Sequence, residues 1–328
     1  MPLAELTERI GRQRPDSPAT AEDWQRFGQF LDMARTEGGR FDLSDPIAVI
    51  GPASRLEWAT LTIRSAGRTG LILLAPLPQS DPGRGGTETS AALRQAVAQL
   101  IEQERSHHMG LLQALLPPTH TDEARLLTDC GFVRLTELIY LMGELPSEPR
   151  GGNAGADPGA AWPALPSDGW AAYDDATADA FVRVIRASYV HTLDCPALEG
   201  VRRMEDVLAG HKASGLFRPD LWFLFSRDGE PIGAVLLNQV LDLSCPTVEL
   251  VYMGLVESAR GLGLGGRMFR FARHAARRAG FTRIVTAVDA ENLPALTLYR
   301  HAGLSETMRR IAYILPLEQA AGVNSAAD

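Results

Sequence analysis

A run of glycines in the C-terminal half is the first candidate for chemistry. Residues 260–266 read Arg-Gly-Leu-Gly-Leu-Gly-Gly, between a segment of strand-like composition and one with helical spacing of apolar residues. Glycine lets a backbone amide approach an anion closely, and the start of a helix carries a positive dipole end. The spacing therefore predicts a site for the pyrophosphate of a nucleotide-bearing ligand.

A dinucleotide site is a rival interpretation of the same loop. Gly261, Gly263 and Gly266 satisfy G-x-G-x-x-G, and Asp289 ends the next predicted strand, where a ribose-binding acid would stand. However, residues 257–260 separate the strand from the first glycine, and too few residues follow Asp289 for a doubly wound sheet. A glycine-rich turn without a ligand is the remaining alternative.

A second motif follows the loop at a fixed distance. Residues 288–304 read VDAENLPALTLYRHAGL. This segment is similar to the V-x-x-x-N-x-x-A-x-x-L-Y-x-x-x-G-F segment of the GNAT acetyltransferase superfamily, with Leu304 in place of phenylalanine. Arg260-x-x-Gly263-x-Gly265 resembles the Q/R-x-x-G-x-G/A pyrophosphate loop of the same superfamily. The resemblance covers about Trp170 to Leu317.

The resemblance implies a fold, a co-substrate and a reaction. The expected fold class is α/β (α+β), with a mixed, mostly antiparallel sheet flanked by helices. The expected reaction is direct transfer of an acetyl group from acetyl-CoA to a primary amine of a small molecule. The residues that the resemblance places against acetyl-CoA are Met253, Leu255, Val256, Arg260, Gly261, Leu262, Gly263, Leu264, Gly265, Gly266, Asn292 and Tyr299.

Two residues have the chemistry for the proton transfers that such a reaction needs. The resemblance makes Tyr299 the acid that protonates the departing thiolate, although an aromatic residue on a helix can simply pack the core. Glu249, on the strand before the glycine loop, is the candidate base, with a solvated strand residue as the alternative. Glu257 is a weaker second candidate.

The acceptor stays open at the level of sequence. Residues 189–211 fall where the superfamily varies its acceptor-binding helices, and the polar candidates there are His191, Asp194, Arg202, Glu205 and Asp206. The layout of the chain also resembles the mycothiol synthase family, which would make the acceptor a pseudodisaccharide amine. A non-catalytic acyl-CoA-binding or interaction module is the alternative from another class.

Composition divides the chain and limits its partners. Residues 146–167 are rich in Pro, Gly and Ala and are predicted to link a domain at 1–145 to one at 168–318, with a disordered tail at 319–328. A net charge of −8 argues against nucleic acid as a partner. Neither a membrane span nor a secretory signal is predicted, and the expected location is the cytoplasm. The cysteine and histidine spacings predict no metal site.

The elements that must position these residues follow from periodicity. The predicted helices are 91–105, 122–129, 176–189, 201–208, 264–279 and 294–301, and the predicted strands are 111–116, 138–142, 221–226, 232–240, 248–256, 284–288 and 311–315.

The N-terminal half is predicted to be a degenerate copy of the C-terminal half. Its closing segments align with those after Pro294, and the alignment puts Leu127 in the place of Tyr299. Residues 81–90 would replace the glycine loop, with Glu88 bringing a negative charge to the place meant for phosphate. This half is therefore expected not to catalyse.

Overall fold

The computed structural model describes most of the chain. The residues that it describes are 2–11, 24–25, 27–29, 31, 42–50, 56–77, 91–145, 168–241 and 244–318. The predicted linker at 146–167, the predicted tail at 319–328 and the loop at 81–90 lie outside the described residues.

The chain forms two compact units. Unit 1 contains Met1–Thr136 together with Arg310–Asp328, and unit 2 is Glu137–Arg309. The units therefore change over at 136/137 and 309/310, whereas the sequence placed its boundary in 146–167. Unit 1 takes in residues from both ends of the sequence.

Seven α-helices and twelve strands are named here among the described residues. The helices are α1 Leu3–Gly11, α2 Ala91–Ser106, α3 Thr121–Asp129, α4 Ala178–Tyr189, α5 Met204–Ala213, α6 Leu264–Arg278 and α7 Leu293–His301. The strands are β1 Asp42–Leu43, β2 Ile47–Ile50, β3 Leu56–Ser65, β4 Thr69–Leu74, β5 Leu111–Leu116, β6 Val133–Glu144, β7 Asp168–Ala172, β8 Trp222–Arg227, β9 Glu230–Gln239, β10 Thr247–Leu255, β11 Arg283–Asp289 and β12 Ser305–Pro316.

Unit 1 is built on a mixed sheet. β3 pairs antiparallel with β4, and β4 pairs parallel with β5. The part of β12 that belongs to this unit pairs antiparallel with β5, from Ile311↔Leu116 to Pro316↔Leu111. Side chains of the sheet and of α2 and α3 form one apolar core around Trp58, Leu100 and Leu126.

Unit 2 is also a mixed, mostly antiparallel sheet with helices on its faces. The strand order is β6-β11-β10-β9-β8-β7, and only the pair β10–β11 is parallel. α6 and α7 cover one face around Phe269 and Tyr299, while α4 and α5 cover the other around Phe181 and Trp222. Because β10 pairs antiparallel with its predecessor β9, the dinucleotide-binding interpretation is wrong.

The sequence accounts for the key elements of unit 2 locally. The hairpin of β8 and β9 turns on Asp228 and Gly229, both at positive φ, as a two-residue turn requires. α6 buries six residues at helical spacing against the sheet, and several of its arginines occupy the remaining positions. The described residues contain no helix that is long and apolar enough to cross a membrane. The cytoplasmic location stays a prediction.

Candidate active site

The candidate site begins where two parallel strands separate. β10 and β11 pair only from Thr247↔Arg283 to Glu249↔Val285. Beyond this point the hydroxyl of Thr286 donates to the carbonyl of Leu250 (3.0 Å), and the strands then follow different neighbours. The separation opens the sheet into a V-shaped cleft.

A β-bulge in β10 shapes one side of this cleft. The register with β9 shifts between Leu250 and Tyr252, so Val251 and Tyr252 both pack on the face covered by α4 and α5. The hydroxyl of Ser188 donates to the carbonyl of Ile185 (2.8 Å), which leaves the Tyr252 hydroxyl to donate to Ser188. The bulge thus turns a tyrosine from the strand toward the end of α4.

The glycine loop leads from β10 into α6. Gly261 and Gly263 have φ values of 74° and 72°, which favour glycine, and Gly263 is the N-cap of α6. A Cβ added at either residue would meet no atom within 4 Å, so the space beside both backbones is open. The first-turn amides of α6 lack intrahelical acceptors. The loop therefore fits a pyrophosphate.

The cleft joins the glycine loop to the opening between the strands. Its volume is about 470 Å³. Of the residues predicted to contact acetyl-CoA, those that line it are Met253, Leu255, Arg260, Gly261, Gly263, Gly265, Gly266, Asn292 and Tyr299. The other three do not: Val256 and the buried Leu264 pack in the core, and Leu262 is 61% exposed. Glu249, the predicted base, does not line the cleft either.

Tyr299 enters the cleft from α7. Only 6% of its surface is exposed, and its ring meets the edge of Phe269 with ring centroids 4.9 Å apart. Burial, and next the charge of Asp194, raise the pKa of Tyr299 above its ordinary value. The phenol therefore stays protonated at neutral pH and can act as a proton donor.

Glu249 lies on the other face of β10 from the core-facing Leu250. Its carboxylate accepts a hydrogen bond from Ser214 (2.8 Å). Burial raises the pKa of Glu249, and the bond from Ser214 opposes this in part. The side chain of Asn238 donates to the carbonyls of His211 and Ser214, which fixes the chain beside Glu249. Glu249 is thus a half-buried carboxylate with raised basicity, one residue from the cleft.

Arg260 uses its guanidinium inside the protein. Its Nε donates to the carbonyl of Leu255 (3.1 Å), Nη1 to that of His191 (2.9 Å) and Nη2 to that of Ser188 (2.8 Å). Arg273 of α6 is engaged in the same way, since it donates to the carbonyls of Ala302 and Glu144. Both guanidinium groups are thus used on backbone carbonyls.

Asn292 and Asp194 both lie in the wall of the cleft. The side chain of Asn292 caps α7 by accepting from the amide of Ala295 (3.3 Å), and its proximity lowers the pKa of Asp194 against the larger effect of burial. Asp194 accepts from the amide of Asp289 (3.1 Å), while the Asp289 carboxylate accepts from the amide of Cys195 (3.0 Å). Burial raises the pKa of Asp194.

The other predicted acceptor residues are dispersed. Glu205 is exposed, Arg202 donates to the carbonyl of Asp206 (3.0 Å), and His191 forms an exposed pair with Glu257 (2.8 Å). Among these candidates the structure places only Asp194 in the cleft wall.

Sequence reasoning missed several residues that line the cleft, among them Ser188, Tyr252 and Thr286. Tyr252 turns toward α4 because of the bulge, and the spacing of residues in the sequence does not predict a bulge. Across the described ranges no group of three or more His, Cys, Asp or Glu side chains could hold a metal ion.

Comparison with known proteins identifies the segment that carries this site. Residues 188–304 match the family described as "Acetyltransferase (GNAT) family". A mycothiol acetyltransferase of Thermomonospora curvata is 33% identical over 118 residues, which are 36% of this chain and 38% of that protein. The match thus spans less than two fifths of that relative's length.

Solved structures extend the likeness of fold to nearly the whole chain. A GCN5-related N-acetyltransferase from Sphaerobacter thermophilus has a TM-score of 0.55 at 16% identity, covering 97% of this chain and 91% of that one. A glucosamine N-acetyltransferase region of a fungal multi-domain β-N-acetylglucosaminidase has a TM-score of 0.57 at 15% identity, covering 95% of this chain and 36% of that one. The segment that matches the acetyltransferase (GNAT) family, residues 188–304, contains the separating strands, the glycine loop and Tyr299.

Proposed function

We propose that this protein transfers an acetyl group from acetyl-CoA to a primary amine of a small molecule. The observation that carries the proposal is the cleft of unit 2, which has the free amides of the glycine loop at its mouth and Tyr299 in its wall. The pyrophosphate would bind at residues 262–266, where the amides and the dipole of α6 favour negative charge.

The length of the cleft suits the arm that carries the acyl group. From Leu255, next to the loop, back to Leu250, where the strands meet, β10 spans roughly 16 Å at ~3.3 Å per residue. An extended arm that starts at the loop would bring its thioester near Leu250 and the bulge.

Attack by an amine on the thioester carbonyl forms a C–N bond and breaks a C–S bond, so two protons have to move. Tyr299 would give its phenolic proton to the sulfur as the C–S bond breaks. Because burial raises the pKa of Tyr299, the phenol keeps its proton at neutral pH before the reaction.

Glu249 would take the proton from the attacking amine. Its carboxylate faces α4 and α5, so an amine entering from that side would pass it before reaching the thioester. A raised pKa makes this carboxylate a stronger base than an exposed one. The proton of the amine could reach Glu249 either directly or through a water molecule.

For unit 1 we propose a structural role. Its β4 and β5 also pair for only a short stretch, from Thr69↔Leu111 to Leu71↔Gln113. In the opening beyond, Glu123 of α3 accepts a hydrogen bond from the amide of Leu77 (3.2 Å), and the fully buried Leu127 stands where unit 2 has Tyr299. The carboxylate of Glu123 would repel the phosphates of acetyl-CoA, and Leu127 cannot donate a proton to the thiolate. Both features oppose acetyl transfer in unit 1.

A mycothiol-type acceptor is the second candidate. It is favoured by the similarity of 118 residues of this chain to a protein named mycothiol acetyltransferase. A screen of amines would separate the two candidates: turnover of a pseudodisaccharide amine well above that of simple amines supports the second.

The direct test is calorimetric titration with acetyl-CoA. We expect the wild-type protein to bind one equivalent and a Gly263→Glu, Gly265→Glu double variant to bind none, because carboxylates at the loop repel the pyrophosphate. Gly280→Glu, at a glycine with φ of 91° after α6, is the control for strain and should bind like the wild type. A wild-type protein that binds no acetyl-CoA would contradict the proposal and favour a non-catalytic interaction module.

A further inference from the structure

Residues 189–195, here called the bridging segment, form one wall of the cleft. The chain leaves α4 at Tyr189, and Thr192, Leu193 and Asp194 line the cleft together with Ser188 at the end of the helix. The segment lies in the part of the chain where the acceptor is expected to bind.

One end of the bridging segment is held by the glycine loop. Arg260 donates to the carbonyls of Ser188 and His191, and through Nε to Leu255 at the end of β10. These are hydrogen bonds from a charged donor, which are stronger than those between neutral groups. Three of the five N–H groups of a guanidinium are thereby used on backbone carbonyls.

The other end is held by the strand that diverges from β10. The amide of Cys195 donates to Asp289 at the end of β11, and Asp194 accepts from the amide of Asp289. The segment therefore spans from the end of β10 to the end of β11, across the mouth of the opening between them. His191 and Cys195, at φ values of 51° and 49°, mark the two bends of this span.

Arg260 also completes the C-terminus of α4. Ser188 carries one of the last four carbonyls of the helix, which lack intrahelical donors. A guanidinium at this position satisfies the carbonyl and interacts favourably with the negative end of the helix dipole. The sequence after α4 offers no glycine for a local cap until Gly200.

We propose that Arg260 is a positioning residue that couples the glycine loop to the bridging segment, and that it is not a ligand of the phosphates. Through its three carbonyl contacts, Arg260 of the loop that would receive the pyrophosphate holds in place the wall beside which the acceptor would bind. This inference rests on the proposed function.

Two substitutions separate positioning from phosphate binding. Arg260→Lys keeps the charge but cannot reach three carbonyls at once, and Arg260→Met loses both properties. We expect both variants to bind acetyl-CoA within about threefold of wild type by calorimetry, since the phosphate contacts come from backbone amides. We expect the amides of residues 189–195 to exchange with deuterium about tenfold faster in both, with or without acetyl-CoA.

Glu257→Gln is the matched control, because it removes the exposed contact from the same loop to His191. Such an exposed pair contributes little, so exchange should stay at the wild-type rate. Amides of α6 serve as an internal reference for general unfolding.

The proposal is overturned if Arg260→Lys retains acetyl-CoA affinity while Arg260→Met loses about tenfold or more, the pattern of a charged phosphate ligand. It is also overturned if exchange in residues 189–195 is unchanged in both variants. Failure of the wild-type protein to bind acetyl-CoA would contradict the proposed function, and the exchange rates without ligand would still decide the role of Arg260.

Discussion

Tyr299 combines a buried ring with a hydroxyl in the cleft, which makes its two contributions separable. Tyr299→Phe removes only the hydroxyl and keeps the contact with Phe269. We expect kcat to fall by about 10²-fold or more, because the sulfur loses its proton donor, while acetyl-CoA affinity and thermal stability stay near wild type. Steady-state kinetics beside calorimetry would measure this. An unchanged kcat would exclude Tyr299 as the acid.

The raised pKa of Glu249 has consequences for both rate and stability. As a base it must be ionised, so kcat/KM should rise with pH through a pKa above the ordinary range of a glutamate. Glu249→Gln should remove this limb of the pH profile and lower the rate at pH 8 by about 10²-fold. A limb that persists in the variant would assign the base to another group.

The raised pKa of Glu249 also determines how its contribution to folding stability changes with pH. The folded protein holds the proton of Glu249 more tightly than the unfolded chain, so its contribution is complete below about pH 4.3 and is lost as pH rises through the folded pKa. Glu249→Gln should therefore be at least as stable as wild type at pH 8, and should gain nothing at pH 4. Urea unfolding at the two pH values would test this.

For individual residues, the sequence predicted a site residue where that residue belongs to a motif with fixed spacing along the chain. The loop glycines and Tyr299 could be identified because each belongs to a motif of fixed spacing, and both line one cleft. The contacts of Arg260 could not be predicted, because Ser188 and His191 are about seventy residues away in sequence. Tyr252 was missed because its direction depends on the bulge.

Among the elements, β10 requires glycine at one position. Gly254 lies directly under Tyr252, and a Cβ at that position would stand 2.3 Å from the tyrosine hydroxyl and 3.0 Å from the hydroxyl of Ser188. Only glycine therefore leaves room for the bond between these two side chains.

Gly254→Ala should displace Tyr252 and destabilise the protein by about 1–3 kcal/mol, the usual range for an overpacked site. Gly169→Ala in β7 is the matched control, since its Cβ would make an ordinary contact at 3.7 Å with Ser226. Chemical denaturation of both variants would check the difference. Equal stability of the two would show that Tyr252 moves aside at no cost.

The helices and strands from residue 91 onward were mostly predicted, whereas those before it were not. Leu111–Leu116 matches its predicted bounds, and Leu264–Arg278 differs from its prediction by one residue. β4 went unrecognised because its short apolar run cannot be told from a buried helix by periodicity alone. β3 was missed although apolar and polar residues alternate along much of it. β7 follows directly on the Pro-, Gly- and Ala-rich stretch that suggested a linker, and it was also missed.

For the molecule as a whole, the units do not follow the order of the sequence. The residues of β6 that belong to unit 2 pair with β11 over seven positions, from Glu144↔Arg283 to Leu138↔Asp289. A fragment beginning at residue 168 would leave that edge of β11 without its partner. The Pro- and Gly-rich stretch suggested a boundary, but strand pairing over such sequence distances could not be read from it.

We expect a fragment of residues 137–309 to unfold cooperatively, and one of residues 168–318 to unfold at lower temperature or to aggregate. Circular dichroism during heating and size-exclusion chromatography would compare them. Greater stability of the fragment that starts at 168 would indicate that β6 contributes little to unit 2.

The last strand of unit 1 also sets an order for biosynthesis. Residues 310–316 leave the ribosome after all of unit 2, yet they supply the partner of β5. Although unit 1 begins first, the edge of β5 at Leu111–Leu116 that pairs with β12 stays unpaired until residues 310–316 have been translated. The sheet of unit 1 begins first. It is therefore completed only after all residues of unit 2, which contains the candidate active site, have been translated.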